Sequence, residues 1–329
     1  MMNKLVLTAA ALLFFSVMVM SQETAEIFKP HGKPVLRIFS NAHTTFSDGA
    51  SQSAFELTRV YLGYEHHFSK DFSGTVVFDV GNPGAGKMQM TAFVKNAFLN
   101  YNYNRFSVDF GLIPTTQFKV QENFWGYRYM EKVFQDAYDF ASSADLGASI
   151  TYQFSDKLSA DVALYNGEGY KKLQSDSLLK TAFGVTFTPV KELVIRGMAD
   201  FMGNDVSQNT YAGFIGYKSK KISLAAEYNY QRNHLMADQH DYFGPSFYGT
   251  LVVSKKVKVF ARYDDLQSKT PSGQTQDWNL ANDGKFFMTG LEYAPVNGIK
   301  FAPNYRGWNP GDKTAPFVST LMLNCEIKF

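Results

Sequence analysis

Residues 317–329 read FVSTLMLNCEIKF. Phe317, Leu321, Leu323, Cys325, Ile327 and Phe329 share one parity, while Val318, Thr320, Asn324, Glu326 and Lys328 fall mostly on the other. A β-strand points alternate side chains to opposite faces, so this segment has an apolar face and a polar face. It also ends on an aromatic residue. Such a strand must pair with something, and two readings compete. In a transmembrane barrel the last strand closes on the first and a terminal aromatic sits in the interfacial girdle. In a soluble protein it is an unusually apolar sheet edge.

This ending resembles the C-terminal signal that bacterial outer-membrane barrels present to the barrel-assembly machinery, which makes Leu323, Cys325, Ile327 and Phe329 the candidate assembly signal. The opposite end points to the same compartment. Lys4 supplies one positive charge, and residues 5–20 are apolar apart from Thr8 and Ser16. Val19 and Ser21 suit the −3 and −1 positions of a cleavage site. Residues 1–21 therefore read as a secretory signal peptide, with Gln22 opening the mature chain. The apolar run is shorter than the ~20 residues of a spanning helix, which argues against a retained anchor. The only cysteine is Cys325, so no lipobox follows Ser21 and no intramolecular disulfide framework is possible.

Beyond residue 21 no segment approaches a membrane helix in length, so residues 22–329 are either exported and soluble or an outer-membrane β-barrel. Thirty Phe and 19 Tyr suit interfacial girdles. Thirty-two Lys and Arg balance 30 Asp and Glu, which favours neither nucleic acid nor a strongly charged partner.

Strand-like runs recur along the chain, joined by two alternating kinds of connection. Short turns fall at 69–71, 103–105, 155–157, 189–191, 219–221, 254–256 and 295–298. Longer loops rich in Gly, Asn, Asp and Ser cover 44–53, 81–89, 115–143, 167–177, 203–209, 233–243, 268–284 and 309–316. Seven short turns and eight long loops imply sixteen strands, give or take two, with both chain ends on the short-turn side. Short periplasmic turns opposite long external loops are the asymmetry of outer-membrane barrels. The alternation is clear where Phe106, Val108, Phe110 and Leu112 oppose Ser107, Asp109 and Gly111, and ambiguous at 209–218 and 245–253. The expected fold is all-β: a transmembrane antiparallel β-barrel of about sixteen strands, wide enough for an aqueous lumen.

The longest loop, 115–143, is dense in aromatics and carries both charge signs, and residues 128–139 suit a short helix. Either it folds into the lumen, leaving Lys119, Arg128, Glu131 and Lys132 near a constriction, or it forms an external cap or a trimer contact. Inward-parity cations come from many strands: Arg37, Arg59, Lys95, Arg196, Lys258, Arg262 and Arg306. With Lys119, Arg128 and Lys132 they are the candidate pore-lining residues. Acidic residues of the same parity, among them Asp109, Asp161, Asp200, Glu227, Glu292 and Glu326, mix the sign, so no strong ion selectivity is expected.

Four segments add a family resemblance. They are FELTRVYLG at 55–63, VKNAFLNY at 94–101, FGLIPTTQF at 110–118 and ALYNGEG at 163–169. In order and spacing, residues 54–190 resemble the porin O/P-like family of phosphate- and pyrophosphate-selective outer-membrane channels, in its Bacteroidetes-type form. The resemblance implies a sixteen-strand homotrimeric channel whose third loop folds inward and which passes small hydrophilic solutes or anions. The chain departs from the phosphate-selective pattern where acids interleave with the basic residues and where Leu112-Ile113 precedes Pro114 without a lysine. A general or weakly anion-selective porin is therefore the expectation.

An enzyme is not expected. None of the six histidines pairs with a serine in a recognisable motif, and Gly81 to Gly86 lacks the Lys-Ser/Thr of a phosphate-cradling loop. His234, His240, Asp238 and Asp241 share one loop, where a solvated loop competes with weak metal binding. No cofactor is expected. The alternative function is a non-conducting receptor or adhesin barrel that displays its external loops.

Overall fold

A computed structural model describes residues 28–81 and 91–329. The signal peptide at 1–21 and all but Gly81 of the loop at 81–89 lie outside the described residues. The first eight strands are β1 (His31–Ser47), β2 (Ala50–His67), β3 (Phe72–Gly81), β4 (Thr91–Tyr103), β5 (Phe106–Pro114), β6 (Ala144–Ser155), β7 (Leu158–Tyr165) and β8 (Lys180–Val190). The second eight are β9 (Leu193–Gly203), β10 (Ser207–Lys218), β11 (Ile222–Arg232), β12 (Tyr242–Val252), β13 (Val257–Ser268), β14 (Gly284–Val296), β15 (Ile299–Pro310) and β16 (Val318–Lys328). Each pairs antiparallel with its sequence neighbours, and β1 pairs with β16 from Arg37↔Lys328 to Ser47↔Val318, closing the barrel. The ambiguous segments 209–218 and 245–253 are strands β10 and β12.

The alternation of the sequence becomes an inside and an outside. Leu321, Leu323 and Phe329 face out and are exposed, whereas Asn324 and Glu326 are buried inside. The same holds round the wall: Phe55 (90% exposed), Leu224, Tyr228 and Phe247 face out, while Glu227, Asn229, Gln231, Arg262 and Asp264 are buried within. An apolar belt of this extent is unfavourable in water. It suits a hydrocarbon surround, where a closed barrel satisfies every backbone group and leaves no edge. No helix among the described residues is long and apolar enough to cross a membrane.

The loop expected at 44–53 is instead a tight hairpin. β1 and β2 stay paired up to Ser47↔Ala50, and only Asp48 and Gly49 form the turn, with φ of 48° and 74°. Two consecutive positive-φ residues match the right-handed strand twist, and Asp-Gly adopts them at little cost. Polar residues such as Thr44 and Ser53, whose hydroxyls bond at 2.9 Å, read as loop only because the barrel here rises beyond its apolar belt. Likewise 203–209 shrinks to 204–206, because β9 runs through Gly203 and β10 begins at Ser207.

Candidate constriction and pore lining

Residues 115–143, joining β5 to β6, lie inside the barrel. The helix expected over 128–139 is replaced by α1 (Lys119–Trp125) and the single turn α2 (Phe134–Ala137). Gly126, with φ 70°, ends α1 in a left-handed cap whose N–H bonds to Glu122 O. Between the helices the loop carbonyls find acceptor roles on the wall. Arg306 donates to Met130 O at 2.9 Å, and Arg262 donates to Lys132 O. These bonds take the carbonyls that a continuous helix would have used.

The loop packs on the wall through two apolar clusters. In the first, Phe118, Trp125, Tyr127, Tyr129, Met130 and Val133 meet Phe214, Tyr248, Phe260 and Met288 of β10, β12, β13 and β14, and Phe39, Tyr61 and Val77 of β1 to β3. Trp125 stands edge-on to Tyr248 at 5.3 Å between centroids. In the second, Phe134 and Phe140 meet Tyr242 and Leu266, with Phe140 stacked on Tyr242 at 4.1 Å. A buried side chain of this size contributes about 1.5–3 kcal/mol, so the loop is fixed by a core of its own.

Polar anchors complete the attachment. Tyr129 donates to Glu292 at 3.0 Å; burial, then the Glu292 charge, hold this phenol well above its ordinary pKa, so it remains a donor. Gln135 donates to Asn229 at 2.9 Å and Gln231 to Phe140 O at 2.8 Å. Arg196 grips Asp161 through two bonds, at 2.6 and 3.0 Å, and donates to Thr116 O at 2.9 Å. Gln117 bonds Asp200. Arg306 also donates to Glu131 at 3.0 Å.

Open space remains beside β1 to β4. One cavity of about 330 Å³ is lined by Arg37, Tyr61, Lys95, Asn96, Glu122, Arg128 and Glu326, toward the short-turn end. A second, of about 550 Å³, opens among the long loops and is lined by Arg59, Arg128, Lys132, Asp136, Tyr170, Lys171, Lys172 and Lys180, among others. Arg128 lines both. It pairs with Glu122 at 3.4 Å and Asp136 at 3.6 Å, and Lys132 pairs with Asp136 at 3.3 Å. On the facing wall Arg59 bonds Tyr61 OH at 3.1 Å and pairs with Asp79 at 3.2 Å, and Lys95 bonds the same phenol at 3.3 Å. Tyr170 reaches down from its loop to Asp79 at 3.0 Å. Burial first, then the Asp79 charge, raise the Tyr170 phenol above its ordinary pKa, so it stays protonated as the donor.

Two irregularities in the ladder aim this wall. The β1–β2 register shifts between Phe39 and Ser40, leaving Thr58 as an extra residue just before Arg59, and the β3–β4 register shifts between Val77 and Phe78, leaving Lys95 unpaired. A bulge re-aims the side chains beside it, and here Lys95 and its neighbour Asn96 both line the smaller cavity.

Of the ten basic candidates, Arg37, Arg59, Lys95, Arg128 and Lys132 line these two cavities. Arg196, Arg262 and Arg306 point inward but are buried in loop anchoring. Lys258 pairs with Glu292 at 2.9 Å and lines a separate space of about 130 Å³ beneath α1. Lys119 is exposed in the first turn of α1 and lines neither cavity. Tyr61, Asp79 and Tyr170 were not singled out from the sequence. The parity of β2 and β3 marks the first two as inward, but nothing local marks the loop residue Tyr170.

Among the described residues no His, Cys, Asp and Glu cluster has metal-binding geometry. His234 and His240 instead both stack on Trp278, at 5.6 and 4.6 Å.

No family model and no curated protein matches the chain. Solved structures do. The outer membrane channel DcaP of Acinetobacter baumannii superposes with a TM-score of 0.63 at 12% identity, covering 94% of this chain and 100% of its own. OmpF of Salmonella typhi, in complex with daunomycin, gives 0.66 at 15% identity, covering 90% and 97%. OmpT of Vibrio cholerae gives 0.64 at 13% identity, covering 93% and 100%. The barrel has the porin fold. At this identity the likeness concerns the fold alone, and this chain's chemistry has to be read from its own lumen.

Proposed function

We propose that the protein is an outer-membrane porin through which small hydrophilic solutes and ions diffuse passively, with a weak preference for anions. The observation that carries this reading is the pair of polar cavities that share Arg128 in their linings, inside a closed barrel whose outer surface is apolar. The larger cavity is lined by six cations (Arg59, Arg128, Lys132, Lys171, Lys172, Lys180) and four carboxylates (Asp136, Asp139, Glu168, Asp176). The smaller has three (Arg37, Lys95, Arg128) and two (Glu122, Glu326). Each carries a small positive excess, which biases a pore without closing it to cations. Arg59 and Lys95 are the positions at which the chain resembles the phosphate-selective channels. Their pairing with Asp79 and Tyr61 favours a general pore over a dedicated phosphate site.

In this reading the short-turn end is periplasmic, the long loops are external, residues 1–21 are removed on export, and the barrel-assembly machinery inserts the chain through its last strand. A homotrimer agrees with the family resemblance, and OmpT of Vibrio cholerae has itself been described in a trimer form. The close apolar packing of the loop over β10 to β14 supports a second reading, a plugged barrel acting as a receptor or adhesin.

Single-channel recording in a planar bilayer decides between them. Discrete openings with a reversal potential on the anion side are expected under a salt gradient. A reversal potential on the cation side refutes the anion preference, and silence from correctly folded protein favours the plugged barrel.

A further inference from the structure

The turns at the short-turn end are not evenly charged. Between β6 and β13 they carry Lys157, Lys191, Lys220, Lys221, Lys255 and Lys256 against two carboxylates, Asp156 and Glu192. The four turns form one continuous arc, because backbone bonds tie each to the strand beyond it. Thr188 N donates to Lys157 O at 2.7 Å, Lys218 N to Glu192 O at 2.7 Å, and Val252 N to Lys221 O at 2.8 Å. Ala294 N donates to Lys256 O at 2.9 Å, extending the arc to β14. All six lysines are exposed, and among the described residues none of them forms an ion pair. The remaining short turns differ: Lys70 is followed by Asp71, residues 104–105 carry one arginine, and residues 297–298 carry no charge.

A patch of unpaired lysines has a general affinity for anions, and its position narrows the partner. Exposed apolar side chains run down the outer wall to the turns themselves: Val190, Tyr217, Ile222, Leu251, Val253 and Tyr293. The ammonium groups therefore ring the lower rim of the apolar belt, at the depth where hydrocarbon gives way to headgroups. A flexible lysine there keeps its stem against the tails and its charge among the phosphates.

We propose that this arc is a binding rim for anionic phospholipid headgroups in the leaflet at the short-turn end, so that one side of the barrel carries a shell enriched in anionic lipid. The proposal rests on the membrane-barrel reading above. The favoured ligand class is a phosphodiester lipid without a compensating headgroup amine, phosphatidylglycerol being the simplest. A lysine near an anionic leaflet contributes about 1 kcal/mol, which corresponds to about a fivefold preference per headgroup engaged at low salt. The attraction decays within a Debye length, so salt weakens it.

The test reconstitutes the full barrel in phosphatidylcholine bilayers and measures, by electron spin resonance, the association of spin-labelled phosphatidylglycerol relative to spin-labelled phosphatidylcholine. The wild type is expected to prefer phosphatidylglycerol about fivefold at ~0.05 M salt and to lose most of that preference at ~0.5 M. The fourfold variant Lys220→Gln, Lys221→Gln, Lys255→Gln, Lys256→Gln is expected to lose it at low salt, while Lys313→Gln at the opposite end keeps it. Channel recording on the same preparations separates this inference from the reading beneath it. Preparations that conduct but show no lipid preference, or a preference unchanged in the fourfold variant, overturn the rim alone. Should the variant fail to fold, the salt series on the wild type still decides, a salt-independent preference being fatal. Selective retention of a soluble polyanion such as heparin, with no preference among bilayer lipids, would move the partner from lipid to a polymer and equally overturn the proposal.

Discussion

Arg306→Met isolates what holds the inner loop in place. The guanidinium of Arg306 makes four bonds: to Asn304 at 2.9 Å, Asn324 at 3.0 Å, Glu131 at 3.0 Å and Met130 O at 2.9 Å. Two join β15 to its neighbourhood and two tether the loop between α1 and α2. Methionine fills much of the arginine's volume but satisfies none of these acceptors. Removing one partner of a buried pair costs about 3–5 kcal/mol. Glu131 keeps a quarter of its surface exposed, so water rescues part of its charge and the lower end applies, about 3 kcal/mol. That loss falls on the loop, because the backbone ladder of β15 with β14 and β16 is untouched. A loop destabilised by about 3 kcal/mol opens about a hundredfold more often. Hydrogen exchange followed by mass spectrometry should show amides of 127–133 exchanging that much faster while those of β15 keep their protection, and single-channel traces should become noisier. Unchanged exchange in 127–133, or a loss spread evenly over the barrel strands, would refute the assignment of Arg306 as a loop tether.

Deleting Phe329 should lower the yield of heat-modifiable barrel in membranes, because its N–H closes the sheet onto Leu36 O at 3.2 Å and its ring is 73% exposed on the outer face; a normal yield would exclude the anchoring role. Gly111→Val should destabilise the barrel by about 3 kcal/mol, combining left-handed strain with overpacking. The added Cβ would lie 2.5 Å from Ala97 O at φ +122°, whereas Gly213→Ala meets nothing within 4 Å; urea unfolding in lipid vesicles should separate the two variants, and equal midpoints would contradict the geometry. The loop between β11 and β12 should loosen in acid. Burial first, then His240 and Lys180, hold the His234 imidazole down at about 4. Because the unfolded group titrates near ~6.5, the loop's stability is complete above that pH and erodes as the pH falls toward 4. Fluorescence of Trp278, stacked on His234, should follow that window in the wild type and flatten in His234→Gln.

The barrel was legible because its signal is a period of two repeated many times, and a single ambiguous strand such as β12 is fixed by the pairing of its neighbours. What misled was polarity taken as a proxy for loop. Thr44, Thr45, Gln52 and Ser53 read as a loop, yet they form strand where the wall extends past its apolar belt. The helix expected at 128–139 is confined to the turn Phe134–Ala137 for a different reason. Helical periodicity weighs only bonds within the segment, whereas Met130 O and Lys132 O accept from arginines about 130 residues or more away in sequence. The bulges at Thr58 and Lys95 leave no trace in a residue pattern, although they aim the wall that faces Arg128.

Parity shows that a residue points inward, but it does not show what inward contains. In an empty barrel Arg59, Lys95, Arg196, Arg262 and Arg306 would all face water and act alike on a passing ion. Here the loop divides the lumen, and the same residue type takes two roles according to the side on which it falls. Beside β9 to β15 the arginines meet carbonyls and carboxylates at a buried interface: Arg262 is fully buried against Asp264 at 2.7 Å, and its guanidinium lies 5.4 Å from the Trp125 ring. Such a charge is already neutralised and its field stays local. Beside β1 to β4, Arg37, Lys95 and Arg128 border open space. Charges on the packed side hold the loop in position; under the porin reading proposed above, charges on the open side would set the preference of the pore. Summing inward residues over the whole barrel mixes these two effects, which is why the near-neutral total conceals the small positive excess in the lining of each cavity.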